Sequence, residues 1–113
     1  MTRIYKIAPA ALWTKAVRAG VFAGAPVDLA DGFIHFSTAD QVAETAARHF
    51  AGQTDLLLVA FEAESLGSAL KWEASRGGAL FPHLYAPLDP ARAVFARPLP
   101  WRDGVHDFSG LLP

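Results

Sequence analysis

Residues 3–8 (RIYKIA) alternate, with Ile4 and Lys6 on one side and Tyr5 and Ile7 on the other, which predicts a first strand. Pro9 suits the first turn of a helix. Residues 10–19 carry Leu12, Trp13, Ala16 and Val17 as one apolar stripe, and Gly20 stands where a C-terminal cap belongs. Residues 21–32 are mixed, with Gly24, Pro26, Asp28, Asp31 and Gly32, and read as a loop over a site. Asp31-Gly32 predicts a turn, and residues 33–36 a short strand. On that strand Ile34 and Phe36 face one way, and Phe33, His35 and Ser37 the other. Thr38 with Gln41 three residues later has the form of a capping box, so Thr38 is expected as an N-cap. The helix it opens runs to about Phe50, with Val42, Ala46, His49 and Phe50 inward and Glu44 paired to Arg48 outward.

Residues 55–63 (DLLLVAFEA) are apolar on both faces and predict a central strand. Leu66 falls in a short turn or one-turn helix, residues 70–73 predict another strand, and residues 93–99 the last clear one. An Asp103-Gly104 turn follows, and the tail after His106 is expected to be weakly structured. Trp13 and Trp72 are both expected in the core. Helices early and strands late indicate an α+β fold rather than a doubly wound sheet.

Composition narrows the function classes. With 113 residues the chain fits one domain, residues 1–113. Hydrophobic residues are 52% and charged residues 19%, ample for a core and against disorder. A net charge of −1 with scattered signs argues against general nucleic-acid or membrane-surface binding. The absence of cysteine excludes disulfides, thiolate catalysis and cysteine-ligated zinc. No stretch approaches a membrane span and the N-terminal residues have no long apolar run, so a cytoplasmic location is the expectation.

The densest chemistry lies in residues 71–88, KWEASRGGALFPHLYAPL. Gly77-Gly78 permits a sharp turn, and Pro82 favours extended backbone at Phe81. His83 and Tyr85 then share a face while Leu84 turns to the core. Glu73 and Arg76 can supply a carboxylate and an anion-binding fork. His35 and Ser37 share a strand face just before a helix. His49 is expected at a helix end and His106 on the surface. Histidine spacing matches no familiar metal motif, so no metal site is expected. Neither a phosphate-binding loop nor a nucleophile elbow is present.

IYKI, Trp13, DGFIHFST with Gln41, FAGQTDLLLV and LKWEASRGGALFPHLYAPL together resemble the family called domain of unknown function 952, over residues 4–107. The resemblance implies a twisted split sheet with two main helices early in the chain, similar to the ADP-ribosyltransferase fold that cradles NAD. In that superfamily a first-strand His or Arg and a second-strand Ser or Tyr hold NAD, and a later Glu often directs transfer. Here Lys6 stands about where the first of these is expected, and Glu73 is a candidate for the last. The expected ligand is a small anionic one, NAD or a nucleotide. Arg76 would pair with phosphate, His35 and Ser37 would bond ribose, and Tyr85 would stack on a ring; a further reading is a hydrolase with Glu73 and His83 as acid and base. The alternative is a non-catalytic interaction domain that keeps the fold alone.

Overall fold

The computed structural model describes residues 2–113, apart from the side chain of Arg76. Strand β1 (Arg3–Pro9) pairs antiparallel along its whole length with β4 (Leu56–Glu62), from Arg3 opposite Glu62 to Pro9 opposite Leu56. β7 (Phe95–Leu99) lies on the far side of β4, and β3 (Ser37–Thr38) lies beside β1, giving the order β3-β1-β4-β7. A second antiparallel sheet has the order β2-β6-β5, from Ile34–His35, Ala79–Leu84 and Leu70–Ser75. β2 and β3 are thus one extended segment that changes sheets at Phe36.

Alternation along β1 and β4 feeds two cores. Ile4, Val59 and Phe61 face one way, against Trp13 of helix α1 (Ala10–Ala19) and against Ile34, Phe36 and Leu84 of the second sheet. Tyr5, Ile7, Leu56, Leu58 and Ala60 face the other way, against Val42 and Ala46 of helix α3 (Val42–His49). Trp13 is buried between the rings of Phe22 and Phe61, with centroids 5.6 and 6.2 Å away. The second sheet therefore does for one face of the first what α3 does for the other.

Several expectations need correction. Residues 21–32 are not a plain loop, because Pro26 opens a six-residue helix, α2 (Pro26–Asp31), which Gly32 closes at φ 84°. Thr38 is not an N-cap. It ends β3 opposite Ile4, and a turn from its carbonyl to the Gln41 amide (3.1 Å) delays the helix to Val42. The Gln41 half of the box does form, its Oε1 accepting from the Thr38 amide at 3.1 Å. His49 is exposed rather than inward, since α3 ends there. Pro9 ends β1 just ahead of α1 instead of entering its first turn.

Trp72 is 41% exposed and not in the core. Its side of β5 does face the core at Leu70, but towards the Gly77-Gly78 tip the β5–β6 hairpin leaves the core behind, and Leu80 is 55% exposed. His106 is buried rather than on the surface. It sits in the hairpin of β8 (Trp101–Arg102) and β9 (Val105–His106), and its Nε2 lies 3.0 Å from the Gln53 carbonyl. The hairpin turns on Asp103 and Gly104, both at positive φ (53° and 80°), as a two-residue primed turn demands. The tail beyond it is not loose: Phe108, Leu111 and Leu112 pack on the α3 side of the first sheet.

Candidate functional site

β3 pairs only with Ile4 and Tyr5 before the chain leaves for the second sheet. Where the sheets part, a cleft of about 620 Å³ opens along β1, within the usual range for small-ligand sites. Its walls are β1, the second sheet and the last turns of α3. Lys6, His35, Ser37, Ser75 and His83 border it from the sheets, and Arg48 and His49 from α3.

His35 and His83 are direct register partners on β2 and β6, with ring centroids 5.6 Å apart. Phe33 lies over both, stacked on His83 at 4.1 Å and tilted to His35 at 4.5 Å. It also meets Tyr85 at 5.2 Å. The four side chains form one aromatic strip because all lie on the face of the sheet away from Leu84 and Ile34.

A carboxylate anchors each imidazole. Glu73 Oε1 sits 2.8 Å from His83 Nδ1 and accepts from the Tyr85 hydroxyl at 2.7 Å. Those two bonds, Tyr85 first, hold the Glu73 carboxyl below its ordinary range, and the same contact raises the Tyr85 phenol. Nε2 of His83 meets no hydrogen-bond partner among the described residues.

His35 is held differently. Its Nδ1 lies 2.6 Å from Asp28 Oδ1, and its Nε2 lies 2.9 Å from Asp31 Oδ2. Both contacts are hydrogen bonds only with a proton on each nitrogen, since a carboxylate can only accept. Asp28, on α2, is almost wholly buried and accepts four ways. It takes the Lys6 ammonium at 2.9 Å, the Ala25 amide at 2.7 Å, and the His35 amide at 3.0 Å in addition to the ring. Burial pushes its carboxyl up, but the bonds from His35 and the Lys6 charge outweigh it and bring the pKa down to about 2. For Lys6 burial dominates, and its pKa is lowered despite Asp28. Gly24 lets this junction close: a Cβ there would stand 2.8 Å from the Asp28 Cβ, and its φ is 130°.

Of the residues singled out from sequence, His35, Ser37 and His83 border the cleft, and Glu73 and Tyr85 join it through His83. Ser37 is buried, with Oγ 3.0 Å from Thr45 Oγ1. The Arg76 side chain lies outside the described residues; its backbone opens the turn Arg76–Gly78 between β5 and β6. Sequence reasoning missed Asp28, Asp31 and Phe33. The signal for Asp28 was Lys6, a cation on the apolar side of an alternating strand, which requires a buried partner.

The family model described as protein of unknown function (DUF952) matches residues 7–96. Among curated proteins none matches the chain. The crystal structure of protein CC0527 from Caulobacter crescentus is similar over 96% of each chain, with 53% identity and a TM-score of 0.91. A solution structure of the same Caulobacter crescentus protein is similar over 96% of this chain and 95% of that one, with 54% identity and a TM-score of 0.86.

Proposed function

We propose that this chain, which belongs to the DUF952 family, binds a small anionic ligand of the nucleotide class in the cleft between its two sheets. One observation supports this above the others. His35 and His83 border the cleft from the second sheet, backed by Phe33, and Arg48 and His49 border it from α3. A planar base stacks on such rings, and a phosphate meets the basic side chains. Ser37 and His35, which border the cleft, are the hydrogen-bonding groups for a ribose. NAD is the larger ligand of this class. The transfer chemistry of the ADP-ribosyltransferases would ask Glu73 to leave His83 and Tyr85, and Lys6 to leave Asp28.

The test is a thermal-shift and calorimetric series with AMP, ADP-ribose and NAD. A ligand at 100 times its dissociation constant should stabilise the fold by about 2.7 kcal/mol. Amide shifts mapped by NMR should fall on β2, β6 and α3. A flat series, or shifts confined elsewhere, would sink the idea.

The second reading is a non-catalytic interaction domain. It is favoured by Trp72 and Leu80, exposed on one face of a hairpin whose outer strand, β5, has no further strand beside it among the described residues. A sharp loss of self-association or partner capture in a Trp72→Ser variant, with an empty cleft, would favour it.

A further inference from the structure

The two imidazoles differ in a way that ligand binding alone does not need. His35 faces carboxylates at both ring nitrogens, Asp28 at 2.6 Å and Asp31 at 2.9 Å. His83 faces one, Glu73 at 2.8 Å on Nδ1, and its Nε2 is open among the described residues. So one ring has a carboxylate at each nitrogen, and its register partner has one at Nδ1 alone. Their ring centroids are 5.6 Å apart, and both border the same cleft. Phe33 stacked on His83 fixes that ring's plane and leaves only its edge to act. Asp31 is half exposed, at the end of α2, and can yield His35 Nε2 to an incoming oxygen, whereas Asp28 cannot leave.

We propose that His83 and His35 are a general base and a general acid for hydrolysis of a phosphate diester bound in this cleft, an inference that rests on the nucleotide-class reading above. His83 Nε2 takes a proton from water as the water oxygen bonds to phosphorus. The bond from phosphorus to the leaving oxygen breaks, and His35 Nε2–H gives that oxygen its proton. The products are a phosphate monoester and an alcohol, one water is consumed, and the two rings exchange their proton difference with solvent. A diester suits the pair because hydrolysis needs one proton removed and one supplied, with no other cofactor. The attacking oxygen is water's: the chain has no cysteine, and no serine or threonine hydroxyl is bonded to either imidazole among the described residues. Glu73 and Asp28 act through the rings and are positioning residues.

The experiment follows 2′,3′-cyclic AMP by phosphorus NMR with the full chain, and measures AMP affinity separately by calorimetry. The expected result is conversion of the cyclic diester to a monoester. His83→Gln should lower kcat by at least about 100-fold, the lower end for general acid–base catalysis, and by more than any loss of AMP affinity in the same variant. Glu73→Gln, at a half-exposed position, should lower kcat by about tenfold with KM little moved. Added imidazole should restore part of the turnover to His83→Ala, which a structural role for His83 does not predict. AMP binding without turnover of the diester, or turnover unchanged in His83→Gln, overturns the acid–base assignment and leaves the binding site standing. Failure of AMP to bind overturns the reading beneath it as well.

Discussion

His35 and His83 stand opposite each other in register, yet each ring is tied to a different element: His83 to its own hairpin through Glu73, and His35 to α2 through Asp28. The cleft wall is therefore held from two directions. Most of the hold on α2 passes through a single carboxylate.

Asp28→Ala should destabilise the fold strongly. It removes the partner that a buried ammonium has among the described residues and leaves the Ala25 and His35 amides without their acceptor. Breaking a buried pair from one side typically costs about 3–5 kcal/mol. Asp31→Ala breaks a pair that is half exposed, where about 0–1 kcal/mol is usual. Urea midpoints of the two variants should separate accordingly; equal midpoints would show that Asp28 is not the anchor.

Acid should find the same carboxyl. Its folded pKa of about 2 lies below the ordinary value of 3.8. The unfolded chain therefore binds this proton more readily than the folded one, and stability rises with pH across that interval. The contribution of Asp28 is full above the ordinary value and is lost as pH falls through about 2. Urea midpoints taken down a pH series should show this limb, and Asp28→Asn should flatten it.

The tryptophans should part company. Trp13→Ala empties a site packed against Phe22 and Phe61 and should cost about 3–5 kcal/mol. Trp72→Ala, at a 41% exposed position, should cost well under half as much. Comparable losses in chemical denaturation would place Trp72 in a contact that the fold does not contain.

These two residues also mark what a single sequence reveals. Trp72 was expected in the core from its nearness in sequence to the apolar strand, but depth depends on how far the hairpin outruns the layer beneath it. β1, β4, α1 and the Asp103-Gly104 turn were legible because their signals lie within one element. α2 was not, since six residues give too little periodicity, although Pro26 and Gly32 framed it. The site was half legible: the polar face of His83 and Tyr85 follows from spacing, as does that of His35. Asp28 gains its meaning from Lys6, 22 residues away, and only the fold brings them together.

Gln41 should matter more than Thr38. Its side chain accepts from the Thr38 amide at 3.1 Å and donates to the Leu80 carbonyl at 2.8 Å, so it bridges the two sheets. Gln41→Ala should lose about 0.5–1.5 kcal/mol for each bond removed, while Thr38→Ala should stay within about 0.5 kcal/mol of the parent. Amide exchange at Thr38 should quicken in the first variant; a larger effect from Thr38→Ala would restore it as the cap.

The passage of one extended segment from sheet to sheet at Phe36 sets the mechanics of the cleft. His35 is bonded into one sheet and Ser37 into the other, and the residue between them is locked in the core at 3% exposure. The chain therefore passes between the sheets over a single residue. Phe36 thereby fixes the His35 imidazole of one sheet beside the Ser37 hydroxyl of the other. The bonds from Lys6 through Asp28 to His35 and the Gln41 bridge brace the same junction, so the candidate site lies where the two sheets are tied most closely.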